Sequence, residues 1–281
     1  MARIVLGHRD GALAIRLART VLTDLAAEWP DLQFVPRTFG SAGPEDGDAV
    51  LNAVLDGRAS LAVVAGETLR APLPEGLALA AVTRRVEPRL TLVTKGSKRL
   101  EDLSAGARLG VGAERDLPFV HAGFPGAEAE LLTGGVEAAL KRLAADEFEG
   151  LLLPASTLVT LDLRDRVGVL LEPDVVPPAP GQGTLALVAR SDDDVAAEVA
   201  YTLQHRPSFD RVRAERAFAA GLVGFAVGAL ATVNDDGDLT LFGAVARGTT
   251  TLQASVSGDA KEATELGAEL AKDVRTQLEA L

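Results

Sequence analysis

The side chains able to do chemistry in this chain are carboxylates, guanidiniums and hydroxyls, because the softer groups are scarce or missing. There is no cysteine. That excludes disulfides, thiolate metal centres, a sulfur nucleophile and any cofactor attached through a cysteine thioether. The three histidines, His8, His121 and His205, lie far apart without metal-ligand spacing, and each reads as a surface or core side chain. Arg211, Arg213 and Arg216 crowd the start of a helix and read as a solvated face or a bridge between domains. Gln182, between Gly181 and Gly183, reads as a turn residue rather than a catalyst.

A chain of 281 residues that is 47% hydrophobic and 24% charged has the composition of a folded globular protein of two or three domains. Its formal net charge of −12, from 28 basic and 40 acidic side chains, repels polyanions, so nucleic acid and anionic membrane are poor partners. Arg3, His8 and Arg9 interrupt the short apolar runs at the start, where a secretory signal would be uninterrupted. No stretch reaches the ~18 apolar residues of a membrane span. The expectation is a cytoplasmic monomer whose partner is a small molecule or a pathway protein.

The elements that must position any site follow from apolar periodicity. Short apolar runs alternate with amphipathic segments in the series 3–6, the helical pattern at 12–28, 33–36, 50–55 and 60–64, a βαβ rhythm. Leu13, Leu17, Val21, Leu22 and Leu25 share one helical face over 12–28, and Trp29-Pro30 stops that helix. A second α/β block follows 85–89, with strands at 90–94, 108–111, 129–132 and 150–153. Its helix over 136–145 turns Val136, Ala139, Leu140 and Leu143 inward. A Pro-rich passage after Glu172 leads to a glycine turn and buried strand at 178–190, where the chain crosses back, and a helix at 192–206. Beyond it come a helix at 209–222, a hairpin of 228–233 and 239–245 around the turn at 234–238, a strand at 252–257 and a closing helix at 260–281. The predicted domains are a first lobe of 1–86 with 177–203, a second lobe of 87–176, and a C-terminal α+β domain of 204–281.

Several short motifs then occur in order. Gly7 and Arg9 precede Leu13-Ala14, Arg85 is followed by Pro88-Arg89, Pro178 precedes Gly181-Gln182-Gly183 and a strand ending in Arg190, and Arg213-Ala214-Glu215-Arg216-Ala217 opens the last domain. With these motifs the chain resembles the porphobilinogen deaminase (hydroxymethylbilane synthase) family. The resemblance implies an α/β fold of two lobes like those of a periplasmic binding protein, hinged by a crossing segment, plus a small C-terminal α+β domain. It also implies a cleft between the lobes, a role in tetrapyrrole (porphyrin) biosynthesis, and a dipyrromethane primer, held by a third-domain cysteine, on which four porphobilinogen units are polymerised.

The chain departs from that pattern where the chemistry resides. The cofactor-attachment loop corresponds to 219–228, and around Val223, Gly224, Phe225 and Ala226 no sulfur is present. The first-lobe aspartate of the family, which stabilises charge on pyrrole nitrogens and moves protons, falls on Thr68, which does not ionise near neutral pH. Glu67, beside it where the family has lysine, is a substitute only if the loop register shifts. Arg9 and Arg115 match family arginines that bind cofactor, and equally read as ion pairs holding loops. Asp116, Thr133 and Ala139 stand where the resemblance implies further arginines, and Asp48 near an expected lysine in a short acidic lid at 40–47. Each lost charge-assisted contact is worth about 1.5–3 kcal/mol. The resulting expectation is a family member impaired or inactive as a deaminase, without a covalent cofactor. The alternatives are an active synthase with a noncovalent dipyrromethane primer, and a small-molecule binding module lined by Arg9, Thr68 and the turn at 110–113.

Overall fold

The structure, a computed structural model, describes residues 3–40, 48–96, 99–248 and 250–280. The lid at 40–47 lies outside the described residues except for Gly40.

The first lobe starts with β1 (Arg3–His8), α1 (Ala12–Glu28), β2 (Gln33–Thr38), α2 (Ala49–Leu55), β3 (Leu61–Ala65) and β4 (Leu77–Val82). The second comprises β5 (Leu90–Thr94), β6 (Arg108–Val111), α3 (Leu117–Gly123), β7 (Glu128–Leu131), α4 (Gly135–Ala144), β8 (Gly150–Pro154), α5 (Ala155–Thr160) and β9 (Val169–Leu170). Then β10 (Leu185–Arg190) returns to the first sheet, which is ordered β2-β1-β3-β10-β4. There β1 pairs in parallel with β2 and β3, while β10 runs antiparallel between β3 and β4. The second sheet, β7-β6-β8-β5-β9, repeats the arrangement, with β5 as its antiparallel strand. Parallel neighbours require crossovers, and the helices that supply them cover both sheet faces. The fold is thus α/β with two lobes of the same sheet topology.

After β10 come α6 (Asp194–Tyr201), α7 (Arg206–Ala220), β11 (Ala226–Val233), β12 (Asp238–Arg247), β13 (Thr250–Asp259) and α8 (Ala263–Glu279). The last three strands form an antiparallel meander. Phe218, Leu241, Leu270 and Val274 belong to the core between that sheet and its two helices. Ala244 and Ala246 instead join a core with Leu92, Leu109 and Phe119 of the second lobe, so the small α+β unit also packs on that lobe.

Two sequence expectations are corrected. The apolar face of α1 divides: Ala18, Val21 and Leu25 are buried in the lobe, whereas Leu13 and Leu17 line a cavity toward the other lobe. The helix expected over 192–206 ends at Tyr201, because α7 begins anew with His205 as N-cap, its imidazole accepting from the Ser208 N–H, and Pro207 in the first turn.

Candidate functional site

The buried strand β3 ends at the inner edge of the first lobe, in the middle of its sheet, and a single 3-10 turn, Gly66–Thr68, follows it. Strand C-termini at such a position are where α/β sheets take ligands. The turn is held by the crossing segment: Gly66 N donates to Thr184 O at 2.8 Å, and a Cβ on Gly66 would lie 2.3 Å from Gly181 O. Gly181 and Gly183 both have φ 81°, which lets the backbone fold back this closely. Gln182 locks the same turn, its amide accepting from Ala179 N and donating to Pro88 O.

This packing sends the neighbouring side chains opposite ways. Thr68 is exposed and its hydroxyl donates to Ala65 O at 2.9 Å. Glu67 points into a cavity of about 530 Å³ between the lobes. Its Oε2 is shielded from solvent and has no hydrogen-bond partner among the described residues. Burial pushes the Glu67 carboxyl up to about 7, against the pull of nearby backbone N–H groups and of the Arg85 and Arg115 guanidiniums. A proton donor and acceptor active at neutral pH therefore sits inside the cavity.

The cavity walls come from both lobes. Leu13, Leu17 and Thr20 of α1 face Ser156, Thr157 and Thr160 of α5, and the crossing segment contributes Gly183 and Thr184. At the rim, Arg16 of α1 forms an ion pair with Asp162, just beyond α5, linking the lobes directly. Arg84 and Arg164 also border the space, and neither has a carboxylate partner among the described residues.

The arginines singled out from the sequence lie elsewhere. Arg9, half-buried after β1, is outside the cavity lining. Arg115 spends its donors on Val227 O at 2.7 Å, on Pro177 O and on Asp116, and stacks over Phe119 at 5.7 Å. It brackets the second lobe to the crossing segment and to β11. Asp116 is buried, and desolvation raises its pKa despite Arg115. The turn at 110–113 is also absent from the lining; Gly110 lies inside β6, where a Cβ would meet Leu132 and Leu151.

In the loop after α7, Leu222 is buried, Val223 is 65% exposed, Gly224 has φ 93°, and Phe225 packs on the C-terminal core. None of Val223, Gly224, Phe225 and Ala226 offers a nucleophile, so these residues do not fit a thioether-linked cofactor.

The sequence missed the role of Glu215, and of its two readings for Arg216, a solvated face or a bridge between domains, the structure shows the bridge. Glu215 is fully buried and binds Arg85 through both oxygens at 2.6 Å, while also accepting from Gly181 N and Ala231 N at 2.7 Å. Arg216 donates to Leu69 O and Arg70 O at 2.8 Å, tying α7 to the segment after Glu67. The Arg-Ala-Glu-Arg run was visible, but nothing local signals that the Glu215 charge turns inward.

Fold and site together define a two-lobed cleft protein with a fused sheet-and-helix unit. Residues 4–198 match the family model described as porphobilinogen deaminase, dipyromethane cofactor binding domain. A porphobilinogen deaminase of Thermus thermophilus is 39% identical over 99% of this chain and 97% of its own length. One from Deinococcus deserti is 36% identical over 99% and 96%, and one from Chromobacterium violaceum 34% identical over 97% and 94%. Among solved structures, the BenM effector binding domain with benzoate superposes with a TM-score of 0.49 at 15% identity, covering 72% of this chain and 90% of that one. The chain belongs to the porphobilinogen deaminase family.

Proposed function

We propose that this chain is a member of the tetrapyrrole-biosynthesis family that keeps the cleft but is impaired or inactive as a deaminase, and that it carries no covalent dipyrromethane. The observation that carries this reading is the absence of any sulfur nucleophile around Val223–Ala226, in a chain without cysteine. The loss of a carboxylate at Thr68, and the engagement of Arg115 by backbone carbonyls and Asp116, support it. On this reading the protein is a cytoplasmic monomer whose partner is a small molecule or a pathway protein.

The test is incubation of the purified protein with porphobilinogen, following substrate loss and uroporphyrinogen-derived colour, with intact mass under denaturing conditions. No turnover and an unmodified mass are expected; turnover overturns the reading.

A second reading, an active hydroxymethylbilane synthase with a noncovalently held primer, is favoured by Glu67. Its carboxyl lies in the cleft and titrates near neutrality, where a proton-transfer group is most effective. It requires turnover that Glu67→Gln abolishes while the denatured mass stays unmodified.

A further inference from the structure

The interlobe cavity has unlike ends. Its buried part holds Glu67, whose Oε2 is shielded from solvent and without a partner among the described residues. The guanidiniums nearest that carboxyl are already neutralised, Arg85 by Glu215 and Arg115 by Asp116. Glu67 is thus the one carboxyl of this group lacking a guanidinium of its own. Also in the lining, Ser156 and Thr157 are buried residues whose hydroxyls have no protein partner among the described residues. The apolar part of the lining includes Leu13, Leu17, Val86 and Val159. Arg84 and Arg164, also in the lining, are exposed and have no carboxylate partner among the described residues.

We propose that this cavity binds a small zwitterion, an amino acid whose amine and carboxylate are separated by a short apolar chain. The amine is inward on Glu67 and the hydroxyls, and the carboxylate lies at the rim on Arg84 and Arg164. An ammonium supplies Glu67 with a counter-charge and its Oε2 with the donor it lacks among the described residues, so burying the pair satisfies an atom that is now unsatisfied. The guanidiniums hold the opposite end by charge-assisted hydrogen bonds, and the apolar wall excludes water from the chain between. A ligand with only one of the charges leaves one end unmet.

The inference rests on reading the cleft as a retained ligand site, and its test is independent of deaminase turnover. Calorimetric titration with the ω-amino acids from 4-aminobutanoate to 8-aminooctanoate is compared with hexanoate and hexylamine. One member of the series is expected to bind at least about tenfold tighter than either single-ended compound. Glu67→Gln removes the advantage over hexanoate, and Arg84→Ala with Arg164→Ala removes the advantage over hexylamine. Equal binding of a single-ended compound, survival of the advantage in both variants, or no binding across the series overturns the proposal. The single-ended comparison uses the unaltered protein, so a variant that folds poorly leaves it decisive. Porphobilinogen turnover, read separately, overturns the pseudoenzyme reading without touching this one.

Discussion

Arg85 and Glu215 face one another where the segment after β4, the crossing segment, α7 and β11 meet, oxygen to nitrogen at 2.6 Å twice over, with side chains 4% and 0% exposed. Two desolvated charges stabilise a fold only when the remaining lone pairs are met, and here the Gly181 and Ala231 N–H groups meet them. Arg85→Met, by stranding Glu215, is expected to cost about 3–5 kcal/mol in denaturant unfolding. Arg85→Met combined with Glu215→Leu recovers little of that loss, because both backbone N–H groups are then orphaned. Full recovery would show that the pair acts by charge alone.

Glu67 makes stability pH-dependent. Its folded-state value, about 7, lies above the ordinary carboxylate value of 4.5, so the folded state holds the proton more tightly than the unfolded chain. The contribution is fully present below about pH 4.5 and is lost as pH rises through 7. Glu67→Gln is expected to be more stable than the unaltered protein at pH 8, by about 1–3 kcal/mol, and to match it near pH 4.5. Chemical denaturation at both pH values measures this; a difference independent of pH refutes it.

Arg115→Ala leaves Asp116 buried beside no cation and frees the Val227 and Pro177 carbonyls. A loss of about 3–5 kcal/mol is expected. Asp116→Asn in the same background removes the uncompensated charge and returns part of it. Thermal unfolding of the two variants checks the order; a second substitution that deepens the loss contradicts the assignment.

Arg216 holds the segment after Glu67 through two carbonyls and no carboxylate. Its burial depresses the guanidinium to about 10. Arg216→Ala is expected to cost about 1–3 kcal/mol and to raise amide exchange around residues 66–70 before the rest of the first sheet. Uniform exchange would mean that the contact anchors nothing local.

Much of this fold is legible from the chain. Val21 and Leu25 mark α1 by periodicity, and the runs at 60–64 and 185–190 are apolar enough to be central strands. β4, with the sequence LALAAV, escapes such reading because alanine does not mark a strand, and only β10 beside it determines its conformation. The site is less legible. Glu67 was noticed because Thr68 is not an acid, yet its direction depends on how closely Gly66 meets Gly181. Ser156, Thr157 and Arg84 carry no local pattern; they acquire meaning when two lobes are set side by side.

The strand β10 lies between β3 and β4 although about a hundred residues separate it from either. On a ribosome, β1 to β4 emerge first and must wait with a gap between β3 and β4. The intervening lobe, whose five strands are contiguous in the chain, has every strand in hand before the first lobe does. Vectorial synthesis therefore reverses the order of completion, and the cleft exists only after the later-made half has delivered the strand that closes the earlier one.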